Sequence, residues 1–322
     1  MNVLFFGTPQ FAVPTLERLL ESSHRVVAVV TQPDKPAGRG RKLTPPAVKD
    51  AALAHGLTVL QPESVRTDEF AAELAKYNAD VAVVVAYGKI LPKRILTTPR
   101  HGCLNVHASI LPKYRGAAPI QWALINGEST TGVTIMQMDE GMDTGPIIEI
   151  VEVEILEDDD AISVAAMLSL TGAASMVDIL DRLERDGRLE STPQDHSQAS
   201  KAPLIKRDMA LLDWSDSAEK IILAIRGFQP WPKAYTHNDG KELKILGADG
   251  CSPDWVSTAA FEDAVPTGTV VDVFKGRGFV VRAGGEKGLV LVTRVQPEGR
   301  AEMTADDFVN GGGVDIGTRL GT

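Results

Sequence analysis

A chain of 322 residues with 43% hydrophobic side chains is long for one core and comfortable for two, which excludes an extended disordered polypeptide. Its formal charge of −10 excludes a protein that coats nucleic acid through overall positive surface, while leaving room for a local basic patch. The two cysteines, Cys103 and Cys251, lie far apart without CxxC spacing; this excludes a disulfide scaffold and a cysteine zinc site, and fits a reducing cytoplasm.

The opening MNVLFFGTPQ has no basic start and breaks at Gly7 and Pro9 before a long apolar run develops, so it does not read as a signal peptide. No stretch approaches the roughly 18 apolar residues of a membrane span, and a soluble monomer without membrane contact is expected. Val3 to Phe6 predicts a strand, Gly7-Thr8-Pro9 a turn, Phe11 to Leu20 a helix and Val26 to Val30 a second strand. That order begins a parallel α/β sheet. Pro33 to Lys49 carries Lys35, Arg39, Arg41, Lys42 and Lys49 against the single acid Asp34, a formal charge of +4 in a strongly acidic chain. Gly38, Gly40 and the nearby prolines discourage a continuous helix, so the segment predicts an accessible basic loop.

A helical pattern around Phe70 to Leu74 precedes the β-branched run Val81 to Ala86; further strands are expected at Cys103 to His107 and Val133 to Met138. Open parallel sheets place ligands beyond the carboxyl ends of their strands. Gly88, the Asn105/His107 pair and the turn MDEGMDTG each follow a strand, so all three are expected at that one edge. Residues 164–185 predict an amphipathic helix whose apolar side includes Val164, Met167, Leu168, Leu170, Ala174, Val177, Leu180 and Leu183. The polar stretch that follows reads as a domain connection.

A second domain begins near Asp208. Ser217 opens a helical pattern, and the runs ELKILGA, GTVVDV, GFVVRA and GLVLVTRV read as short strands of a small antiparallel barrel. The expected fold is therefore α/β: a Rossmann-like parallel sheet in a catalytic domain over 1–188, a linker over 189–207, and a smaller OB-like β-barrel over 208–322. Trp214 and Trp231 read as core residues, with stacking on RNA as the alternative. The seven acids between Glu149 and Asp160 read as a solvated strand and loop; no HExxH or histidine-rich pattern supports a transition metal, and no metal is expected.

Residues i and i+2 of a strand share a face, so Asn105 and His107 can address one cleft. An amide N–H can donate to an oxyanion and a neutral imidazole can accept a proton. Asp143 can orient the imidazole from a second strand end, with Asp139 and Glu140 as rival acids. Ser109 lacks a GxSxG elbow and Cys103 has no better case, so a covalent nucleophile is not expected.

The stretches FFGTPQFAVPTL, TQPDKPAGRGRKLTPPAVK, VVVAYGKILP, NVHASILPKYRGAAPIQWAL, TGVTIMQMDEGMDTGPI and LLDWSDSAEKIILAIRGFQPWPKAY together resemble the 10-formyltetrahydrofolate-dependent formyltransferases, across both expected domains. The resemblance implies transfer of a formyl group from 10-formyltetrahydrofolate to the α-amino group of methionine carried on initiator tRNA. It maps the family's catalytic Asn, His and Asp onto Asn105, His107 and Asp143. Folate contacts are implied for Val85, Ala86, Tyr87, Gly88, Lys89, Ile90 and Leu91. They are also implied for Ser109, Ile110, Leu111 and Pro112, where the family's usual SLLP reads SILP, and for Gln137, Met138, Asp139, Glu140, Gly141, Met142 and Asp143. The basic loop would enter the acceptor arm, with Lys35, Arg39, Arg41 and Lys42 on phosphates or bases. Lys113 and Arg115, and downstream Lys206 and Arg207, would extend the positive track. The family's PWPGA appears as Pro230-Trp231-Pro232-Lys233-Ala234, with lysine where glycine takes left-handed backbone angles more cheaply.

Two other functions compete. A related enzyme would formylate an amino sugar or a purine precursor with the same three residues, although a large anionic acceptor makes better use of the basic loop and second domain. A tRNA-binding module without catalysis would need the loop and barrel alone. A nucleotide-dependent oxidoreductase is disfavoured because GTPQFA lacks GxGxxG spacing.

Overall fold

The computed structural model describes residues 1–37, 42–257 and 265–321. In the first part of the chain β1 (Asn2–Gly7), α1 (Val13–Leu20) and β2 (Arg25–Val30) follow in the expected order, with a short 3-10 turn at Gln10–Ala12 leading into α1. The basic segment contributes β3 (Lys35–Ala37) and β4 (Lys42–Thr44), an antiparallel ladder in which Pro36 faces Leu43. Gly38 to Arg41, and with them the candidates Arg39 and Arg41, lie outside the described residues. Next come α2 (Ala47–Ala54), β5 (Val59–Leu60), α3 (Asp68–Ala75), β6 (Val81–Val85), α4 (Lys93–Leu96) and β7 (Cys103–His107). Thr67 caps α3 by accepting from the Phe70 N–H, with Asp68 and Glu69 in the positive first turn. The series continues with β8 (Arg115–Gly116), α5 (Pro119–Ile125), β9 (Thr130–Gln137), β10 (Ile147–Glu154), α6 (Ala161–Asp186) and β11 (Lys201–Ala202).

One seven-stranded sheet runs in the order β10-β9-β7-β6-β1-β2-β5. Strands β5, β2, β1, β6 and β7 are parallel, and every residue of β6 is buried, as a strand covered on both faces requires. Chain order reverses between β1 and β6, which makes their carboxyl ends the topological switch point. Strand β9 departs from the all-parallel expectation: it pairs antiparallel with β7, Leu104 opposite Gln137 and His107 opposite Thr134. The turn after Gln137 therefore leaves from the end of the sheet where β7 begins, not from the carboxyl edge.

Helix α6 is four residues longer than expected. It holds an 18-residue window of mean hydropathy 1.6, long and apolar enough to cross a membrane, so the reading that no such stretch exists undercounts this segment. Half of that window is buried inside the protein. The apolar face also differs from the expected one: Leu170 is 64% exposed and Ala174 is exposed, while Gly172 and Ala173 are buried. At Gly172 a Cβ would stand 2.5 Å from a Val106 methyl, so the helix seats on β7 at its smallest residue. The acids before it serve the backbone. Asp159 accepts from the Leu156 N–H and Asp160 from the Ile162 N–H.

The chain divides into two compact units. The first comprises Met1–Pro119, Ser129–Ile155 and Ser163–Pro203; the second comprises Ile120–Glu128, Leu156–Ile162 and Leu204–Thr322. In the second unit α7 (Ala218–Gly227), capped by Ser217, precedes β12 (Tyr235–Asn238) and β13 (Lys241–Gly250). Then follow β14 (Val270–Phe274), β15 (Gly278–Arg282), β16 (Leu289–Pro297), β17 (Met303–Thr304) and α8 (Ala305–Asn310). The strands form an antiparallel half-barrel, β12-β13-β16-β15-β14, with β17 on β16. Trp214 is 4% exposed and its indole N–H donates to Thr236 Oγ1 at 3.0 Å, the buried partner such a ring needs. Trp231 is 57% exposed, against the core reading, because it sits on the turn that closes α7 rather than in the sheet. Lys233 does take the left-handed conformation, at φ 71°, which costs an L side chain roughly 1–2 kcal/mol.

Candidate active site

Alternation along β7 decides which side chains meet. Val106 faces α6, so Asn105 and His107 face the other way. Both are buried, at 8% and 6% exposure. His107 Nε2 lies 3.0 Å from the Tyr114 carbonyl oxygen. That oxygen can only accept, which puts a proton on Nε2 and leaves Nδ1 as the nitrogen that exchanges protons. Nδ1 faces Asp143 Oδ1 at 3.7 Å. The other carboxylate oxygen accepts from the Gly116 N–H at 2.8 Å, so one oxygen of Asp143 is anchored to backbone while the other faces the imidazole, with the side chain 18% exposed.

Asp143 reaches this position by an indirect route. The turn starts beside Cys103, whose carbonyl accepts from the Met138 N–H at 2.8 Å, and folds back along the sheet face before β10 begins. Asp139, the rival acid, is spent within the turn, accepting from the Gly141 N–H and Thr144 Oγ1. Glu140 is exposed. Asp143 itself adopts φ 54°, a left-handed conformation that a non-glycine residue holds only when its surroundings impose it.

The segment Val85–Leu91 lies at the switch point between β1 and β6. The Tyr87 carbonyl accepts from Thr8 Oγ1 at 3.0 Å and from Gln32 Nε2 at 3.1 Å, and Lys89 Nζ donates to the Pro62 and Glu63 carbonyls. Tyr87 and Leu91 are buried while Ile90 is 52% exposed. Burial pushes the Tyr87 hydroxyl up to about 12. The Ser109–Pro112 segment is pinned to β9 through Thr134, whose hydroxyl donates to the Ser109 carbonyl at 2.6 Å and accepts from the Leu111 N–H at 3.0 Å. A cleft of about 450 Å3 is bordered by Leu96, Gly102, Gln137, Met138, Asp139 and Glu140, among others. None of Asn105, His107 and Asp143 borders it, because Gln137 to Glu140 leave from the end of the sheet where β7 begins.

The basic candidates differ in how they are engaged. Lys35, Lys113 and Lys206 are exposed. Arg115 is half-buried and donates to Gln194 Oε1, with His196 Nδ1 3.0 Å from its Nη2. Arg207 pairs with Glu242 and lies over the Tyr235 ring. Gln194, which no sequence motif singles out, is 7% exposed; a polar linker residue carries no signal of burial until its partners are known.

Cys103 is fully buried, and desolvation pushes its thiol up to about 12, so almost no thiolate forms at neutral pH. Iodoacetamide at pH 8 is expected to alkylate Cys251 in the folded protein and Cys103 only after denaturation. Peptide mass spectrometry checks this, and early labelling of Cys103 would reopen it as a nucleophile.

A family model described as Formyl transferase matches residues 1–180, and one described as Formyl transferase, C-terminal domain, matches residues 204–313. Methionyl-tRNA formyltransferase of Sorangium cellulosum is 49% identical over 100% of both chains. That of Geobacter metallireducens is 46% identical over 100% of this chain and 99% of its own. Among solved structures, the N-formyltransferase from Helicobacter canadensis in complex with folinic acid and dTDP-3-aminofucose has a similar fold. Its TM-score is 0.65 at 18% identity, over 92% of this chain and 98% of that one.

Proposed function

The chain belongs to the formyl transferase family, and from that membership we propose that Asn105, His107 and Asp143 carry its reaction. It is an enzyme that transfers a formyl group from 10-formyltetrahydrofolate to the α-amino group of methionine on initiator tRNA, giving N-formylmethionyl-tRNA and tetrahydrofolate. The observation that carries the site assignment is the buried 3.7 Å approach of His107 Nδ1 to the Asp143 carboxylate.

In the proposed mechanism the methionyl nitrogen attacks the formyl carbon, and the carbonyl electron pair moves onto oxygen. Asn105 donates its amide N–H to that oxyanion, and His107 adds positive charge when both ring nitrogens carry protons. The new C–N bond forms, the bond from carbon to folate N10 breaks, and the amine's proton passes to N10. Because Nε2 is committed to the Tyr114 carbonyl, any proton His107 handles moves through Nδ1, beside Asp143. Fixing both substrates in one site adds the orientation advantage. No covalent enzyme intermediate is required.

The donor is assigned to Val85–Leu91, Ser109–Pro112 and Gln137–Asp143, a reading supported by the switch-point position of the first and by the approach of Asp143, at the end of the last, to His107. The functional division is a catalytic domain over 1–188, a linker over 189–207 and a tRNA-binding domain over 208–322. The enzyme acts in the cytoplasm, where charged tRNA is made, and as a monomer. Parallel assays with charged initiator tRNA, an amino sugar nucleotide and a small amine test the acceptor. Formylation of the small amines alone would overturn it.

Acceptor recognition is assigned to the +4 segment around Lys35, Arg39, Arg41 and Lys42, with Lys113 and Lys206 as further phosphate contacts. Exposed Trp231 offers a ring for base stacking. Replacing Arg39 and Arg41 by Gln is expected to raise KM for charged tRNA roughly tenfold and to lower its salt slope by about one for each phosphate no longer neutralised. KM for the folate donor should stay within about twofold. Steady-state kinetics between low and moderate salt read both, and an unchanged tRNA KM would remove the assignment.

A further inference from the structure

We propose that Gln194 is a positioning residue that holds the Asp143 carboxylate in register with His107, an inference that rests on the site assignment above. Gln194 lies outside every strand and helix. Its side-chain amide is nonetheless used in full. Nε2 donates to the Asp143 carbonyl at 2.9 Å and to the Gly145 carbonyl at 2.7 Å. Oε1 accepts from Arg115 Nε at 3.1 Å and from Arg115 Nη2 at 2.5 Å. Two donors and two acceptor directions are all an amide possesses.

The two carbonyls that Gln194 grips follow the left-handed Cα of Asp143 and flank Thr144. The amide therefore holds the backbone just after Asp143 without touching its carboxylate. Arg115, on the far side of the amide, belongs to β8, whose next residue, Gly116, donates its N–H to Asp143 Oδ2. The amide thus ties the backbone of Asp143 to the strand that also binds its side chain. Gln194 is itself anchored on both sides. Thr192 exchanges backbone hydrogen bonds with Ile147, and the Ser200 carbonyl accepts from the Arg115 N–H at 2.9 Å. Residues 192–202 thus run from the start of β10, where Thr192 pairs with Ile147, to β8, where Ala202 pairs with Gly116. No other residue type of this size fits: a carboxylate there cannot donate to two carbonyls, and an apolar side chain strands both carbonyls and the guanidinium.

A double-mutant cycle distinguishes positioning from general support. Gln194→Met keeps the volume and deletes all four hydrogen bonds; Gln194→Glu keeps the Arg115 pairing, sets a carboxylate oxygen against the two carbonyls in place of the donor nitrogen, and adds a negative charge beside the Asp143 turn. In the full-length enzyme each is expected to lower single-turnover kcat roughly 10- to 100-fold, the cost of a displacement of about 1 Å at the reacting groups. KM for both substrates should remain within about twofold of the parent. In an Asp143→Asn background the same substitutions should cost less than about twofold, because there is no carboxylate left to misplace. Equal losses in both backgrounds, or a folded Gln194→Glu variant with parental kcat, would overturn the inference. If Gln194→Met does not fold, the Glu variant decides alone. Failure of the parent enzyme to formylate charged initiator tRNA would instead count against the functional reading.

Discussion

Asp143→Asn is expected to lower kcat by about 10²- to 10⁴-fold, the range for removing a positioned acid–base group, with the fold preserved. The amide can still accept from the Gly116 N–H that now binds Oδ2, so the turn keeps its anchor. What is lost is the negative charge facing His107 Nδ1 at 3.7 Å. A proton arriving on that nitrogen then has no carboxylate to share it, and the route from the attacking amine to the leaving nitrogen is interrupted. Asn105→Ala removes an N–H donor and should cost about 10²- to 10³-fold, as oxyanion donors do. The losses are expected mainly in kcat, with any rise in KM for the folate donor confined to the Asp143 variant, since Asp143 also belongs to a segment assigned to the donor. Kinetics with saturating substrates, alongside thermal melts, separate the two readings. Normal turnover in both variants would remove the mechanism.

Gly145→Ala is expected to be nearly as damaging through geometry alone. A Cβ at this position would stand 1.8 Å from the Gln137 carbonyl oxygen and 3.3 Å from the Asp139 nitrogen. Both neighbours are backbone, so no side chain can rotate away. The Gln137 N–H also donates to the Pro146 carbonyl at 3.0 Å, which fixes the two chains against each other just where the collision falls. Relief requires opening the base of the β9–β10 connection, and Asp143, two residues earlier, moves with it. Stability should fall by about 3 kcal/mol or more, beyond ordinary surface substitutions. The folded fraction should turn over roughly 100-fold more slowly. Gly250→Ala is the control: among the described residues nothing lies within 4 Å of its added Cβ, so stability should change by less than about 0.5 kcal/mol. Urea melts and kcat measured on the same preparations check both. A Gly145→Ala protein as stable and active as the parent would mean that the turn is not confined as described.

Much of the architecture is legible from local pattern. Strands at Arg25–Val30, Val81–Val85 and Cys103–His107 follow the expected runs Val26–Val30, Val81–Ala86 and Cys103–His107 to within one residue, because a buried strand is written in consecutive apolar residues. Ser217 caps its helix for a reason carried by one side chain. The short elements β5, β8, β11 and β17 escape such reading. Two residues hold no period, and their pairing depends on a partner supplied by the fold.

The candidate site divides along the same line. The sequence by itself determined that Asn105 and His107 share a face, that a basic segment sits in an acidic chain, and that an acidic glycyl turn follows a strand. Each is a property of neighbouring residues. Only the tertiary structure decided that β9 runs antiparallel to β7, so that the acidic turn starts at the far end of the sheet and Asp143 must fold back to meet His107. The apolar pattern of a strand is the same in either direction, and the chain between β7 and β9 is long enough for both crossings. The tertiary structure also decided that Gln194 grips the Asp143 turn and that Trp231 faces outward while Trp214 does not. Those outcomes depend on contacts between residues distant in the chain, where hydrogen-bond partners and burial are fixed by packing rather than by neighbouring sequence.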